Sequence, residues 1–464
     1  MLRTLITLCH LCCWLALAMP ALTACSNGAA DPSEVPGNDT ISGTYYQITL
    51  QAQPATRANA NSLATEAETT VNNATILLYR STQGINGDEN ITIDYALYAP
   101  LLTRSVTSDG AVYYTTGVLH NHAAMTPANY HALIIANMGD LSSWVGHTLG
   151  QVRDETTTAP YQQTADTDPA TASHFVMTSN TDCTINATGQ GGLDNPIRVT
   201  ASIERLAARL DFSPAGAEEQ ALNTTPLTIT LENDEQRTLT AYYTYQVTDG
   251  TATNGDVFYL TTVTPFNLLS SGSYLFKRVT DSYDTDAQTT YLGAETTSPA
   301  SGQATNYVVD PWTWQKTLAS RAALHYRTPL AELTEGAESS HWPVRAVDAA
   351  NTDADGSPYY TLCYAEENTL RPTSDKETYA TGIMVKGIYG KRAANGTMTY
   401  TEKQYTWYVR HSDPTHTAAE GIPMKYGIVR NNIYRLRLNA ITSLGLVLIE
   451  VRDWTPVRVP DIEM

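Results

Sequence analysis

The amino-acid sequence predicts an all-β protein with two tandem β-sandwich domains, and three observations carry that expectation. Short segments alternate apolar and polar residues with the period of two that marks half-buried strands. Tyr (28) far outnumbers Phe (5), a bias toward side chains that suit half-exposed pleated surfaces. Clusters of Gly, Pro, Asn and Asp part the segments at the close spacing of a sandwich, while helix signals are scarce.

The chain opens with a single basic residue, Arg3, and then the apolar stretch Leu5 to Leu17. At about a dozen residues it is too short to cross a bilayer and has the length of a secretory signal. It ends in Leu22-Thr23-Ala24-Cys25, which resembles the lipobox of bacterial lipoproteins, where the cysteine thiol is diacylated and the peptide is cut just before it. Residues 1–24 are therefore the expected signal peptide and Cys25 the expected lipidation site; the alternative is an ordinary secretory signal with an incidental cysteine. Residues 25–44 are polar and rich in Gly, Pro and Asp, the composition of a tether without a packed core. Several acyl chains on Cys25 make a lasting anchor where one holds weakly.

Once residues 1–24 are removed, 464 minus 24 leaves 440 residues, enough for two or three domains with cores of their own. Loss of Arg3 takes the formal charge from 28 − 47 to 27 − 47, that is −20. So acidic a surface argues against nucleic acid as a partner and against electrostatic docking on anionic lipid. Two cysteines remain in the folded part, Cys183 and Cys363; they suit a disulfide or two buried singletons equally.

The first strand pattern is Tyr45 to Gln53, with Tyr46, Ile48, Leu50 and Ala52 facing a core and Gln and Thr facing out. Pro54 ends it, and residues 55–62 are small and polar, the composition of a protease-sensitive loop. Arg57 is the first basic residue after the signal; on composition alone it reads as a solvated loop residue. Further strands are expected at Ala74–Arg80, Tyr130–Asn137, His174–Asn180 and Ile197–Ile203, the last running into Glu204–Phe212. A domain boundary is placed near residue 196, after the break Gly189–Gly192 and before Ile197. This gives an N-terminal domain of 45–196 and a C-terminal domain of 197–464.

The second half repeats the style at Pro226–Leu231, Thr240–Val247, Val257–Val263 and Tyr274–Val279. After a Trp-bearing insertion with a helical turn expected at Pro329–Glu335, strands are expected at Tyr359–Ala365, Tyr379–Tyr389, Gln404–Arg410, Asn432–Thr442 and Leu446–Val451. The last segment, Thr455–Met464, carries Val457, Val459, Ile462 and Met464 in near alternation, with prolines at 456 and 460. Those prolines make it a poor central strand of its own sheet, and it reads as a strand that joins an edge elsewhere or as a frayed terminus.

The chemistry of the chain points to no catalytic constellation. His120 and His122 share one face if they lie in a strand, but no third ligand is placed beside them. Asn351 to Gly356 begins like a calcium loop, yet Leu362 stands where a bidentate Glu is needed. The serines around Ser270 and Ser273 lack a nucleophile elbow and read as turns. Trp312, Trp314 and Trp342 suit a sugar platform or, more commonly, packing. Neither a cofactor nor a metal is expected.

Several segments together resemble the fimbrillins, pilin subunits of the type V pili of Bacteroidales-type bacteria (FimA/Mfa-like), nearest to the Mfa-type stalk subunits. The segments are the lipobox at Cys25; Tyr45–Gln53 followed by Arg57; Ile76–Tyr79; Leu133–Asn137; Phe175–Thr178; Ile203–Arg209; Tyr364–Thr369; Arg430–Arg435; and Val451–Trp454 before the tail. The resemblance implies transthyretin-like sandwiches and a non-enzymatic structural role in adhesion, colonisation or biofilm. It also implies passage to the outer membrane as a lipoprotein and cleavage after Arg57 by an arginine-specific protease. The strand bearing Tyr46, Ile48, Leu50 and Ala52 is then lost, and the segment bearing Val457, Val459, Ile462 and Met464 of another copy replaces it. The implied partners are other copies of the chain and accessory pilins in a filament. A tip or accessory adhesin, a lipid-retaining anchor subunit and a surface glycan-binding lipoprotein are the alternatives.

Overall fold

The computed structural model describes residues 44–52, 64–108, 111–121, 128–165, 168–187, 191–218, 221–249, 252–270, 272–283, 289–296, 304–312, 326–327, 344–345, 348–352, 358–370, 376–411, 422–442 and 447–452. Residues 1–43, which hold the expected signal and most of the tether, lie outside the described residues, as do the expected helical turn at 329–335 and the tail 453–464.

The first large sheet has ten strands. It draws on β1 (Thr44–Ala52), β2 (Ala74–Tyr79), β3 (Ile93–Ala99), β4 (Leu102–Val106), β5 (Val112–Thr116), β6 (Leu119–Asn121) and β7 (Asn129–Ala136). After the two-residue β8 (Thr156–Thr157), which pairs with Ser273–Tyr274, come β9 (Met177–Ser179), β10 (Cys183–Asn186) and β11 (Ile197–Arg205). The strand order is β3-β2-β7-β9-β11-β1-β5-β4, with β10 on β7 and β6 on β1.

Continuous apolar runs mark β2 and β7 as strands buried on both faces, because such a strand needs apolar residues at odd and even positions alike. Ile76, Leu78, Ala132 and Ile134 enter one core, and Leu77, Tyr79, Leu133 and Ile135 the other. Leu97 of β3 and Tyr114 of β5 come from opposite parts of the order, yet both join β1 in the first core. The sheet is therefore bent over a common centre. Two short helices cover its flanks, α1 (Glu66–Thr69) and α2 (Leu149–Asp154), each opened by a capping box from Thr65 or Thr148.

The second large sheet has nine strands. It begins with β12 (Ala208–Ser213); after the hairpin β13 (Leu227–Thr230) and β14 (Gln236–Leu239) it continues with β15 (Tyr243–Asp249) and β16 (Ala252–Phe266). Asp348–Thr352, Pro358–Ala365, Gly382–Arg392, Met398–Tyr408, Ile433–Thr442 and Val447–Arg452 complete it. Leu210, Phe212, Tyr245, Phe258, Leu362 and Leu436 form its core.

Three expectations require correction. The boundary near 196 places Ile197–Arg205 with the second half, but β11 lies beside β1 in parallel register from Tyr46↔Ile197 to Ala52↔Ile203. The chain passes between sheets at Leu206–Ala207, since Ala208 already pairs with Ala365. The expected strand at His174–Asn180 is only Met177–Ser179, and His174 adopts a φ of 51°. Tyr274–Val279 divides: Tyr274 pairs with β8, while Arg278–Thr280 pairs with Thr289–Tyr291 and with Tyr307–Val308. Cys183 lies in β10 and Cys363 in the second core, and no disulfide joins them; burial raises the Cys183 thiol to about 11.

Candidate functional site

The element that sets the site is β1. Tyr46, Ile48, Leu50 and Ala52 are each at most 1% exposed, while the residues between them are only partly buried. The alternation expected from the sequence is thus the alternation of the strand. Burying three large side chains favours the seated strand by ~1.5–3 kcal/mol apiece.

Both edges of β1 are paired. On one side it runs parallel to β11 over seven residue pairs; on the other it runs antiparallel to β5 at Thr49–Ala52 and to β6 at Thr44–Tyr46. Between β5 and β6 the ladder is interrupted, and the Thr116 hydroxyl accepts from the Ile48 N–H at 3.0 Å. Outside, the hydroxyls of Thr49 and Thr115 meet at 3.2 Å. At the entrance Tyr45 N–H donates to the Gly191 carbonyl at 3.1 Å, and the Tyr45 ring stacks on His120 at 4.3 Å. A Cβ on Gly191 would stand 2.5 Å from the Tyr45 carbonyl oxygen, so this close approach needs glycine. Burial raises the Tyr46 phenol to about 12.

Residues 53–63 follow β1, with Arg57 among them, and lie outside the described residues. Beyond them the chain is anchored independently by α1. The buried Glu68 carboxylate accepts from Arg209 at 2.8 Å and from the Tyr364 hydroxyl, and its backbone carbonyl accepts from Arg205 at 2.9 Å. Burial pushes this carboxyl up, but the Arg209 and Arg205 charges outweigh it and hold its pKa below the ordinary value. Arg209 also pairs with Asp211 at 2.9 Å.

A second buried pair lies at the same junction. Arg430 meets Glu367 at 2.6 Å and donates to the carbonyls of Tyr274 and Leu275; Lys277 meets Glu204 at 3.4 Å. The segments Ile203–Arg209, Tyr364–Thr369 and Arg430–Arg435, far apart in the sequence, thus meet where one sheet hands over to the other. Nothing local in these three segments shows that they meet. A charged residue inside an apolar stretch, such as Arg209 between Ala208 and Leu210, was the available signal.

The other candidates are scattered. His120 lies in β6 against Tyr45, while His122 falls outside the described residues. Asn351 and Thr352 end a strand that pairs with Pro358–Ala365, and 353–356 fall outside. Trp312 donates its backbone N–H to Asp310 at 2.9 Å; Trp314 and Trp342 fall outside. No group of three His, Cys, Asp or Glu among the described residues is placed to hold a metal. Cys25, Arg57, Val457, Val459, Ile462 and Met464 likewise lie outside them.

β1 thus fills an interior position of the first sheet, with both edges paired and its core face buried. Residues 44–233 match the family model of the major fimbrial subunit protein (FimA), beginning at β1 and running through β12 into the second half. The match covers 190 of the 464 residues.

Among solved structures the chain is similar to the tip fimbrial protein Mfa3 of Porphyromonas gingivalis with a C-terminal truncation, at 11% identity and a TM-score of 0.40, over 89% of this chain and 100% of that one. A putative cell adhesion protein of Parabacteroides distasonis gives 15% identity and 0.38, over 90% and 98%. A fimbrial assembly protein of the same species gives 10% and 0.36, over 88% and 99%. The search of curated proteins returned no match.

Proposed function

We propose that the protein is a polymerising stalk subunit of a cell-surface fimbria, without enzymatic activity of its own, exported as a lipoprotein attached through Cys25. An arginine-specific protease cuts after Arg57, β1 leaves with the lipid, and residues 455–464 of a neighbouring copy fill the vacated slot through Val457, Val459, Ile462 and Met464. The observation that carries this reading is the double role of β1: it is hydrogen-bonded on both edges and buried on its core face, yet α1 anchors the chain on the far side of residues 53–63 without it.

Vacating such a strand leaves two unpaired edges over an apolar groove, which a foreign strand completes. A donor of about ten residues makes roughly five backbone hydrogen bonds of ~1 kcal/mol, and its apolar side chains add ~1.5–3 kcal/mol apiece. The gross gain, on the order of 10–15 kcal/mol, stands against association costs of ~4–15, so other subunit contacts or slow release must secure the joint. One slot and one tail on each copy make a head-to-tail contact that does not close, which propagates as a filament.

The test is Arg57→Ala. The variant is expected to accumulate as full-length, monomeric lipoprotein in the outer membrane, while the parent chain gives a ladder of oligomers that collapses on boiling. A normal ladder from the variant rejects cleavage at this position.

A further inference from the structure

In the strand order, β4 and β5 lie beyond β1, and β6 pairs with β1. Among the described residues, every strand pairing that ties these three to the other strands of the sheet is made through β1: β5 and β6 pair with it directly, and β4 pairs with β5. The Ile48 N–H to Thr116 bond and the Thr49–Thr115 hydroxyl contact belong to the same seam. Packing of Tyr114, Leu102, Val112 and Leu119 on the core, the approach of β6 to β3 and further contacts of His120 and Asn121 also hold the segment. The outer strand β4 contributes little, since four of its five residues are exposed.

The directions of the strands add the second half of the argument. β11 is parallel to β1 and β5 is antiparallel to it, so β5 and β11 run antiparallel across the slot. Their faces also agree. Tyr114 and Ala201, both buried, stand opposite Leu50, and Thr115 and Thr200 both stand opposite Thr49 on the outward side. Two strands of opposite sense and matching parity pair directly without turning any side chain to the wrong face.

We propose that β4, β5 and β6 form a flap that β1 holds open: when β1 leaves, β5 closes onto β11, and an incoming strand must part them again. The slot is then self-sealing. An empty subunit hides both unpaired edges from unspecific strand addition, the hazard of any exposed edge, and uptake of a donor includes an opening step. The occasion for β1 to leave rests on the proposed strand exchange; the dependence of the flap on β1 is a property of the sheet.

The pair Thr115→Cys and Thr200→Cys tests this. With β1 seated, the two backbones are two strand spacings apart, about 9–10 Å, beyond the roughly 7 Å that a disulfide spans. The chain carries an engineered protease site within residues 53–63, is cut after folding, and is washed in mild urea to release β1. Crosslinks are mapped by mass spectrometry and amide exchange is followed alongside. The expected result is a crosslink in the cut, washed chain, none in the uncut chain, and suppression by prior addition of a synthetic peptide of residues 44–52. Amides of β2 and β7 keep their protection, which separates flap movement from unfolding, while those of β6 lose it by about tenfold or more. A washed chain that holds the pair apart, or an uncut chain that crosslinks as fast, overturns the proposal. Fibre formation is read separately, with the disulfide reduced so that the slot can reopen: crosslinking under oxidising conditions but no fibres under reducing ones leaves the flap standing and removes strand exchange, and fibres without crosslinking do the reverse.

Discussion

A chain ending at Trp454 is exported, cut and folded, and yields no fibres. The expected loss is complete rather than graded, because a head-to-tail polymer has one donor per joint and no second contact of the same kind. Only the groove-facing residues should matter in finer variants. Val459→Asp places a charge where the slot offers an apolar core of Tyr130, Ile134 and Ile203, and burying an unpaired charge costs far more than the ~1.5–3 kcal/mol that a valine side chain contributes. Electron microscopy and the boiled-versus-unboiled ladder read the result. A truncated chain that is secreted and cut but still forms fibres would remove the tail from the account and leave the slot without its proposed occupant.

The second large effect concerns the junction rather than the slot. Arg209→Met strips Glu68 and Asp211 of the guanidinium that both meet at 2.8–2.9 Å, and both carboxylates are almost fully buried. Removing one partner of such a cluster typically costs about 3–5 kcal/mol. For a unit of this kind the midpoint of thermal unfolding should fall by roughly 6–20 °C. The double variant with Glu68→Gln should recover part of the loss, since it removes one orphaned charge together with its partner.

The acid limb has a fixed sign. The folded-state pKa of Glu68 lies below its ordinary value, so its contribution is fully present above the unfolded carboxylate range near pH 4.3 and is lost as the pH falls through the folded value. Glu68→Gln should flatten stability against pH in that window and leave the neutral region lower but level. Unchanged acid sensitivity in the variant would reject Glu68 as the titrating group.

What the sequence disclosed and what it concealed follow from where the information sits. The alternation Tyr46, Ile48, Leu50, Ala52 is local, and β1 appears within one residue of the expected limits. The unbroken apolar runs of β2 and β7 were equally plain. In contrast, β4 is Leu-Thr-Arg-Ser-Val with most of its surface exposed, so no apolar stripe announced it, and β5 and β6 are too short to show a period. The place of β11 was hidden for another reason. Its parallel pairing with β1 joins residues about 150 apart in the chain, and parallel strands need a long crossover that leaves no mark at the strand itself. Turn residues before Ile197 therefore passed for a domain boundary, while the real passage at Leu206–Ala207 runs through an apolar stretch without punctuation.

The site was legible in part. Which side chains of β1 face the core was readable from the pattern alone. That β1 lies inside the sheet, rather than at its edge, was not; nor was the ion cluster that fixes the chain just beyond the proposed cut. Partners such as Glu68, Arg209 and Tyr364 stand up to 296 positions apart, and only the assembled fold brings them within bonding distance.

The N-terminus of the subunit inside a purified fibre tests the central claim most directly. If β1 has been vacated, sequencing or intact-mass measurement finds a chain that begins at Ala58 and lacks both lipid and first strand. Fibres built from subunits that still begin with an acylated Cys25 would contradict the account, since β1 would then remain in its own slot.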